Sequence, residues 1–510
     1  MAPALNHHLT VHRGTYKDSV RQMAATRAML EAGGVEWAGV FMATPANLRQ
    51  LEAEGFAVAD LDARANDLIL AVRAEDGPGA QRALTRAEAS LFAVNQQEVG
   101  ASGTAAKDLR TALREDPAAN VALISVPGPY AALEAHKALS AGLHVVLFSD
   151  GVSLAEERQL KERGQALGLI VMGPSAGTAQ LRGVGLGFAN HVRSGPVGIV
   201  AASGTGTQEL MCLLDQMGIG TSSAIGVGGN DLTAEIGGLS AAMALDAFED
   251  DEATTAIALV SKHADPDLAA SLLDRARKPI VAVLLGMQDT PLLSHDRVYT
   301  TFEQAAVALA DLLGAALSEL ADGELMAQVE GAITRLSDHR TRLVGLFSGG
   351  TLCEEAAFIA SRYLTPIEHR QAELSDRQAH VFLDLGDEEH TRGRPHPMID
   401  VAARSALLLE QARDRSVAVV LFDVVIGEGA HPDPASILAP AAARIVESGA
   451  MVVVRIVGTP ADPQDVMKQR RQLELAGCII APSNARAAYI ATAIVLRNPA
   501  VAFQTRAAIS

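Results

Sequence analysis

The chain has 510 residues, enough for about three to four domains that each bury a core. With 49% hydrophobic and 20% charged residues, its composition excludes a disordered chain or a coiled coil. Its net charge of −18 argues against nucleic acid and anionic membranes as partners, so an anionic ligand must be held by local groups.

Short apolar runs alternate along the chain with segments of helical periodicity. In chain order, the first region predicts a helix at 19–31 and strands at 37–42 and 67–72. Nine further strands are predicted, at 121–126, 144–148, 169–172, 197–201, 257–260, 280–285, 343–347, 417–422 and 451–456. Most of these nine runs are continuously apolar, as is typical of parallel strands buried on both faces. The pattern predicts an open α/β architecture.

We predict four domains from the order of these elements. A small α+β domain spans residues 1–107 and ends in a polar stretch, and three α/β units follow at 108–190, 191–315 and 340–505. Residues 316–340 are polar with helical periodicity and predict a helix that connects the last two units.

Two segments of the last two units are alike. Residues 198–210 and 345–356 both predict a strand, a turn of Ser, Gly and Thr, and a helix. When Thr205 is aligned with Thr351, Glu209 falls on Glu355. One interpretation is a duplication whose equivalent turns face one another, and the alternative is a coincidence of the kind that any parallel sheet can produce.

The two turns are candidate phosphate sites. Glycines allow a sharp turn at the end of a strand, Ser and Thr cap the following helix, and the free amides with the helix dipole attract an anion. Neither turn has the P-loop or the GxGxxG spacing, and an ordinary strand-to-helix turn is the alternative. The predicted phosphate-binding residues are Ser203, Gly204, Thr205, Gly349, Gly350 and Thr351.

A second glycine-rich loop follows an apolar stretch at residues 226–238. Gly228, Gly229 and Asn230 are predicted to bind the substrate there, because ligands of open sheets bind at the carboxyl ends of the strands. Asp231 is a candidate catalytic carboxylate, and the alternative is that it caps the next helix.

The densest polar cluster lies at residues 391–400. Arg392 and Arg394 are predicted to clamp a carboxylate or phosphate of the substrate. His396 and Asp400 are candidate catalytic groups. The alternatives are a solvated loop with salt bridges and a histidine that fixes the loop by hydrogen bonding.

The three cysteines, Cys212, Cys353 and Cys478, are widely spaced and predict neither a disulfide framework nor a metal site. Cys353 begins a helix, where a lowered thiol pKa would suit a nucleophile, and a small buried side chain is the alternative. The N-terminus lacks the pattern of a signal peptide, and no apolar stretch is long enough to span a membrane. We therefore expect a soluble, cytoplasmic protein.

Several motifs resemble known sequences. Residues 172–177, 198–205, 226–229 and 278–281 occur in the order seen in the α-subunit of succinyl-CoA synthetase, over about 115–290. Residues 44–47, 123–126, 348–352, 393–400 and 423–427 are similar to the FdrA family across almost the whole chain.

This resemblance implies a Rossmann-like CoA-binding-type domain at 108–190 and two flavodoxin-like domains of the succinyl-CoA-synthetase type at 191–315 and 340–505. It also implies two helix N-termini that together cradle a phosphate. Three features of the synthetase are missing: the phosphohistidine segment, with His295 lacking its small-residue context; the acidic partner, replaced by Ser261 and Lys262; and an ATP-grasp domain.

From the resemblance, the leading hypothesis is a subunit of a phosphate-dependent carbamoyltransferase. It would convert oxalurate and phosphate into oxamate and carbamoyl phosphate in allantoin breakdown. The alternatives are an acyl-CoA synthetase that needs an ATP-grasp partner, and a scaffold subunit that binds a metabolite without catalysis. All three imply a small anionic substrate and oligomeric or partner subunits. Inorganic phosphate is the implied substrate, CoA is possible, and no metal is expected.

Overall fold

The computed structural model describes residues 6–17, 19–58, 61–92, 106, 108–286, 297–315, 322–369, 379–391 and 395–506. They form two compact units, one of residues 1–106 with 387–400 and the other of 107–386 with 401–510. No helix in these ranges is both long and apolar enough to cross a membrane.

The first unit is built on a three-stranded antiparallel sheet in the order β1-β3-β2. Its strands are β1 (Asn6–His12), β2 (Val35–Met42) and β3 (Leu68–Ala74), and its helices are α1 (Ser19–Leu30), α2 (Pro45–Ala53) and α3 (Gly77–Phe92). Helices α1 and α3 pack against one face of the sheet through Ala25, Met29 and Ala83. Leu51 and Phe56 cover the opposite face. The central strand β3 is therefore buried on both faces.

The second unit begins with a small parallel sheet in the order β4-β5-β6. It contains α4 (Leu109–Glu115), β4 (Val121–Ile124), α5 (Gly128–Ser140), β5 (His144–Leu147), α6 (Leu154–Leu167) and β6 (Val171–Met172). Ser153 starts α6 with a capping box, in which its hydroxyl accepts from the Glu156 amide and Glu156 accepts from the Ser153 amide.

A seven-stranded sheet follows, in the order β13-β12-β11-β9-β10-β7-β8. Its elements are β7 (Gln180–Leu181), β8 (Val184–Gly185), β9 (Ser194–Ala202), α7 (Gly204–Gln216), β10 (Thr221–Gly226), α8 (Leu239–Asp250), β11 (Ala256–Ser261), α9 (Pro266–Arg275), β12 (Ile280–Leu284), β13 (Val298–Tyr299) and α10 (Phe302–Leu312). The central strands β12, β11, β9 and β10 are parallel, with apolar clusters on both faces. This burial explains their continuously apolar sequences.

Helix α11 (Asp322–Arg335) precedes a six-stranded parallel sheet in the order β15-β16-β14-β17-β18-β19. This part contains β14 (Arg342–Phe347), α12 (Gly350–Ser361), β15 (Ile367–Glu368), β16 (His380–Asp384), α13 (Glu388–Thr391), α14 (Ala402–Gln411), β17 (Val417–Val425), α15 (Pro434–Glu447), β18 (Met451–Val457), α16 (Val466–Leu475), β19 (Ile479–Ala481) and α17 (Asn484–Leu496). A terminal 3₁₀ segment spans Pro499–Arg506.

The predicted α/β fold class is confirmed. Each of the four predicted domains contributes a sheet, although β7 and β8 lie before residue 191 and join the seven-stranded sheet. Residues 387–400 fall within the predicted range 340–505 but belong to the same compact unit as the N-terminal sheet.

Candidate functional site

The first predicted phosphate turn forms the N-terminus of α7. Ser203 is the N-cap, and its hydroxyl oxygen accepts from the Gly206 amide at 3.0 Å. Gly204 and Thr205 come before the first intrahelical hydrogen bond, and no acceptor for their amides lies among the described residues. Ser203, Gly204 and Thr205 are half-buried. Two free amides and the helix dipole thus meet at a surface that a ligand can reach.

The second predicted turn begins α12, and an internal carboxylate already contacts it. The Ser348 and Gly349 amides donate to the Asp423 carboxylate at 2.8 and 2.9 Å. The Ser348 hydroxyl lies 3.0 Å from both Asp423 oxygens. Asp423 is fully buried and forms an ion pair with Arg404 at 2.6 Å. The protein therefore supplies its own anion to the N-terminus of α12.

A second acidic side chain lies beside the same turn. A Cβ atom added to Gly350 would overlap the Asp384 carboxylate, which accepts from the Gly386 amide at 2.9 Å. The surroundings of α12 are therefore more negative than those of α7, and the two turns differ as anion sites.

The two helix N-termini are in direct contact. The Ser203 and Thr351 hydroxyl oxygens are 2.6 Å apart. A Cβ atom on Gly349 would lie 2.6 Å from the Thr205 hydroxyl oxygen. The turns that the duplication interpretation pairs do face one another across the boundary between the two large sheets.

The aligned glutamates Glu209 and Glu355 make reciprocal contacts beneath these turns. Glu209, in α7, accepts from the amide of Asn484, the first residue of α17, at 2.8 Å, and it pairs with Arg455 at 2.9 Å. Glu355, in α12, accepts from the amide of Phe302, the first residue of α10, at 2.8 Å. Each glutamate thus caps the last helix of the other α/β unit, which supports the duplication interpretation.

Glu355 differs from Glu209 in its electrostatic surroundings. Its second oxygen accepts from the Asn484 side-chain amide at 2.7 Å, and no cation pairs with it among the described residues. Burial, reinforced by the neighbouring Glu209 and Glu303 carboxylates, raises the pKa of Glu355 to about 8. The buried carboxyl group is therefore largely protonated at neutral pH.

We expect Glu355→Gln to alter how stability depends on pH. The folded-state pKa lies above the ordinary value of 4.5, so the folded protein retains a proton that the unfolded chain releases. Wild-type stability then falls as pH rises through about 4.5 to 8 and levels off above that window. Glutamine stays neutral, so the variant's Tm minus the wild-type Tm should increase from pH 5 to pH 8 in thermal melts. Parallel curves, like those expected for the exposed control Glu330→Gln, would contradict the assignment.

Asp231 lies in the predicted glycine-rich loop but is fully buried. One carboxylate oxygen contacts the Lys161 ammonium at 2.8 Å, and the other accepts from the Ala241 amide at 2.9 Å. Lys161 also pairs with Glu157 at 2.7 Å, and Glu157 accepts from the Asn230 side chain at 3.1 Å. These contacts favour the alternative in which Asp231 caps the helix that follows.

The two glycines of this loop have different surroundings. Gly228 has a φ of +91°, and a Cβ atom there would lie 2.7 Å from the Pro174 carbonyl oxygen. A Cβ atom on Gly229 would meet nothing within 4 Å. The backbone conformation and the close approach of Pro174 thus require glycine at position 228. A side chain at position 229 would point into open space.

The predicted Arg392 and Arg394 clamp lies outside the described residues. His396 and Asp400 belong to the unit that contains the N-terminal sheet. The His396 ring accepts from the Met398 amide at 3.2 Å, and its carbonyl accepts from the Asp400 amide at 3.0 Å. These contacts form a local turn, as expected for a histidine that fixes the loop.

The expectation of a lowered thiol pKa at Cys353 is wrong. The side chain is buried, and burial, together with the Asp384 and Asp423 carboxylates, raises its pKa well above the usual value. Desolvation and two nearby negative charges outweigh the helix dipole. The structure favours the alternative of a small buried side chain.

A cleft of about 400 Å³ lies where β11 and β12 end. Lys262, His263 and Gly286 line it, and the His263 ring lies 3.7 Å from the Glu354 carboxylate. Burial lowers the pKa of His263 and raises that of Glu354. In the sequence, the only signal for this cleft is the departure of Ser261 and Lys262 from the synthetase pattern, and no site was predicted there.

Three comparisons relate the chain to known proteins. Family profiles match at residues 346–494 (CoA-ligase), 192–286 (CoA binding domain) and 5–108 (AllF, heavy metal-associated domain). The region 108–190, predicted to be of the CoA-binding type, lies outside the second match. An ADP-forming succinate–CoA ligase subunit alpha from Methanothermobacter thermautotrophicus is 31% identical over 182 residues, which cover 35% of this chain and 61% of that protein.

The protein YahF of Escherichia coli K12 is 35% identical over 510 residues, with 96% of this chain and 99% of YahF covered. Among solved structures, a dinucleotide-forming acetyl-coenzyme A synthetase 1 from Ca. Korarchaeum cryptofilum matches with 19% identity and a TM-score of 0.28, covering 76% of this chain and 85% of that one.

The profiles and the two large α/β sheets define a succinyl-CoA-synthetase-like protein with an acyl-CoA ligase fold. More narrowly, the chain belongs to the FdrA family, together with YahF. The resemblance drawn from the sequence motifs is confirmed.

The heavy metal that the N-terminal profile implies does not fit the residues present. Heavy-metal ions of the soft class prefer thiolate ligands, and residues 5–108 contain no cysteine. Within the described part of the chain, no group of three or more His, Cys, Asp or Glu side chains could hold a metal ion. No function is derived through a metal.

Proposed function

We propose that the chain is a subunit of a succinyl-CoA-synthetase-like acyl-CoA ligase in which the N-terminus of α7 binds phosphate. The N-terminus of α7 carries this proposal, because the Gly204 and Thr205 amides have no acceptor among the described residues and the helix dipole attracts an anion there. The match of the flanking α/β units to CoA-binding and CoA-ligase profiles supports it.

In the proposed reaction the amides of Gly204 and Thr205 hold the phosphate of an acyl phosphate. The thiolate of CoA attacks the acyl carbon, the bond from carbon to the phosphate oxygen breaks, and phosphate leaves with the electron pair. Donors fixed at the helix end stabilise that charge without reorganising. Formation of the acyl phosphate would require an ATP-grasp partner.

The first test is Gly204→Ala. An added Cβ would meet only Thr178 atoms, at 3.5 and 4.0 Å, so the substitution fits but covers the free amides with a methyl group. We expect the Kd for inorganic phosphate, measured by calorimetry, to rise at least about tenfold, which is about 1.4 kcal/mol, with an unchanged Tm. Gly331→Ala, in α11, is the matched control and should bind phosphate like the wild type. Equal binding by Gly204→Ala would remove α7 as the phosphate site.

The second candidate is a phosphate-dependent carbamoyltransferase subunit. Ser261 ends β11 and Lys262 follows it, where the synthetase carries an acidic partner for its phosphohistidine. The AllF profile matches residues 5–108. Phosphate bound at α7 would attack the ureido carbon of oxalurate, and the bond from carbon to nitrogen would break to give carbamoyl phosphate and, after protonation, oxamate.

Two assays separate the candidates. Measurable CoA binding by calorimetry, with acyl-CoA formed from an acyl phosphate and CoA, supports the ligase. Carbamoyl phosphate formed from oxalurate and phosphate in the presence of the natural partner subunits supports the transferase. If the chain binds phosphate but neither reaction is detected, the result would favour the alternative of a scaffold subunit that binds a metabolite without catalysis.

A further inference from the structure

Thr178 places a hydroxyl group close to the N-terminus of α7. The residue lies between β6 and β7 and is 2% exposed. Its hydroxyl oxygen lies 3.5 Å from the position that a Cβ atom would take on Gly204, the first residue of α7. No hydrogen-bond partner of this hydroxyl lies among the residues that the structure describes, and the oxygen is not one of the fully enclosed unpaired atoms. The hydroxyl is therefore available to a ligand at this helix end.

The backbone fixes Thr178 in this position. Gly226 ends β10, and a Cβ atom there would overlap the Thr178 carbonyl oxygen, so only glycine allows the two segments to approach so closely. The residue is therefore held rigidly against the sheet, with its hydroxyl directed towards α7. A fixed donor of this kind suits the recognition of a ligand oxygen.

The N-termini of α7 and α12 differ in whether a carboxylate of the protein already binds their amides. Around α12, the Ser348 and Gly349 amides and the Ser348 hydroxyl already bind the Asp423 carboxylate. Around α7, the amides of Gly204 and Thr205 are free of any acceptor within the described residues. A second anion beside Asp423 would meet a like charge directly, whereas no carboxylate among the described residues accepts from the two α7 amides.

We propose that the phosphate site lies on the α7 side alone, and that Thr178 is a ligand-binding residue that donates its hydroxyl hydrogen to an oxygen of inorganic phosphate or of a phosphoryl group. This inference rests on the proposed function and deepens it. The N-terminus of α12 then serves as a structural partner, capped by Asp423, and not as a second phosphate cradle.

The test compares Thr178→Val, which keeps the shape and removes the hydroxyl, with Thr178→Ser, which keeps the hydroxyl. Titration of the full chain with inorganic phosphate, followed by calorimetry and ³¹P NMR, should show a Kd raised about tenfold for Thr178→Val. Thr178→Ser should stay within about threefold of wild type. Thermal melts of both variants report whether the fold is intact.

The outcomes separate this inference from the proposed function. If wild type binds phosphate and folded Thr178→Val binds it equally well, Thr178 is not a ligand and the inference fails alone. If wild type binds no phosphate at millimolar concentration, the phosphate site and the inference fail together. If Thr178→Val is unfolded, folded Thr178→Ala takes its place: a raised Kd supports the inference, and binding equal to that of wild type overturns it.

Discussion

Asp423→Asn is expected to lower the free energy of unfolding by about 3–5 kcal/mol. The substitution leaves the fully buried Arg404 guanidinium without its counter-ion. It also replaces one carboxylate oxygen by an amide nitrogen, which cannot accept a hydrogen bond, so one of the Ser348 and Gly349 amides loses its acceptor. Urea unfolding monitored by circular dichroism measures the loss.

A surface ion pair of the same chain is the matched control. Asp246 and Arg275 lie 3.0 Å apart with side chains 52% and 53% exposed, so Asp246→Asn should cost less than about 1 kcal/mol. The double variant Asp423→Asn with Arg404→Met removes the unpaired charge and should recover part of the loss. Equal costs for Asp423→Asn and Asp246→Asn would show that Asp423 is not the anion that caps α12.

Gly349→Ala should destabilise the contact between the two helix ends by about 1–3 kcal/mol. The added Cβ would lie 2.6 to 2.8 Å from the hydroxyl oxygen, Cβ and Cγ2 of Thr205, and the Thr205 Cβ cannot move without shifting α7. Gly349 has a φ of −110°, so alanine suits its backbone and only the contact opposes it. A lowered Tm in differential scanning calorimetry reports the effect.

Removing the Thr205 side chain tests whether its contact with the new Cβ causes the loss of stability in Gly349→Ala. Thr205→Gly in the Gly349→Ala background should restore part of the lost stability, which gives a favourable coupling in a double-mutant cycle. Gly204→Ala is the matched single substitution at the partner helix, where the nearest atom is 3.5 Å away. If Gly349→Ala and Gly204→Ala had the same Tm, the N-termini of α7 and α12 would not be packed against each other as described.

Much of the fold could be predicted from apolar runs. The predicted strand at 417–422 corresponds to β17, which extends to Val425, because that strand is buried on both faces and apolar almost throughout. β1 was missed: it is an edge strand of sequence NHHLTVH, with its first residues exposed, and it gives no apolar run. Where a strand lies at an edge, burial no longer determines its sequence.

The candidate site was only partly predictable. Local signals in Ser203 and Gly204 indicated a capped helix N-terminus, which the structure contains. The contact of Ser348 with Asp423 spans 75 positions, and that of Lys161 with Asp231 spans 70. Such pairs depend on which strands are neighbours in a sheet, and no local pattern reveals that order.

The two helix ends that meet through Ser203 and Thr351 are 148 positions apart in a single polypeptide. Their encounter is therefore intramolecular, and its effective concentration is set by the chain between them and not by the amount of protein present. Dilution cannot separate them. Phosphate affinity per chain should consequently be the same at nanomolar and micromolar protein, as far as this pair of helices determines it.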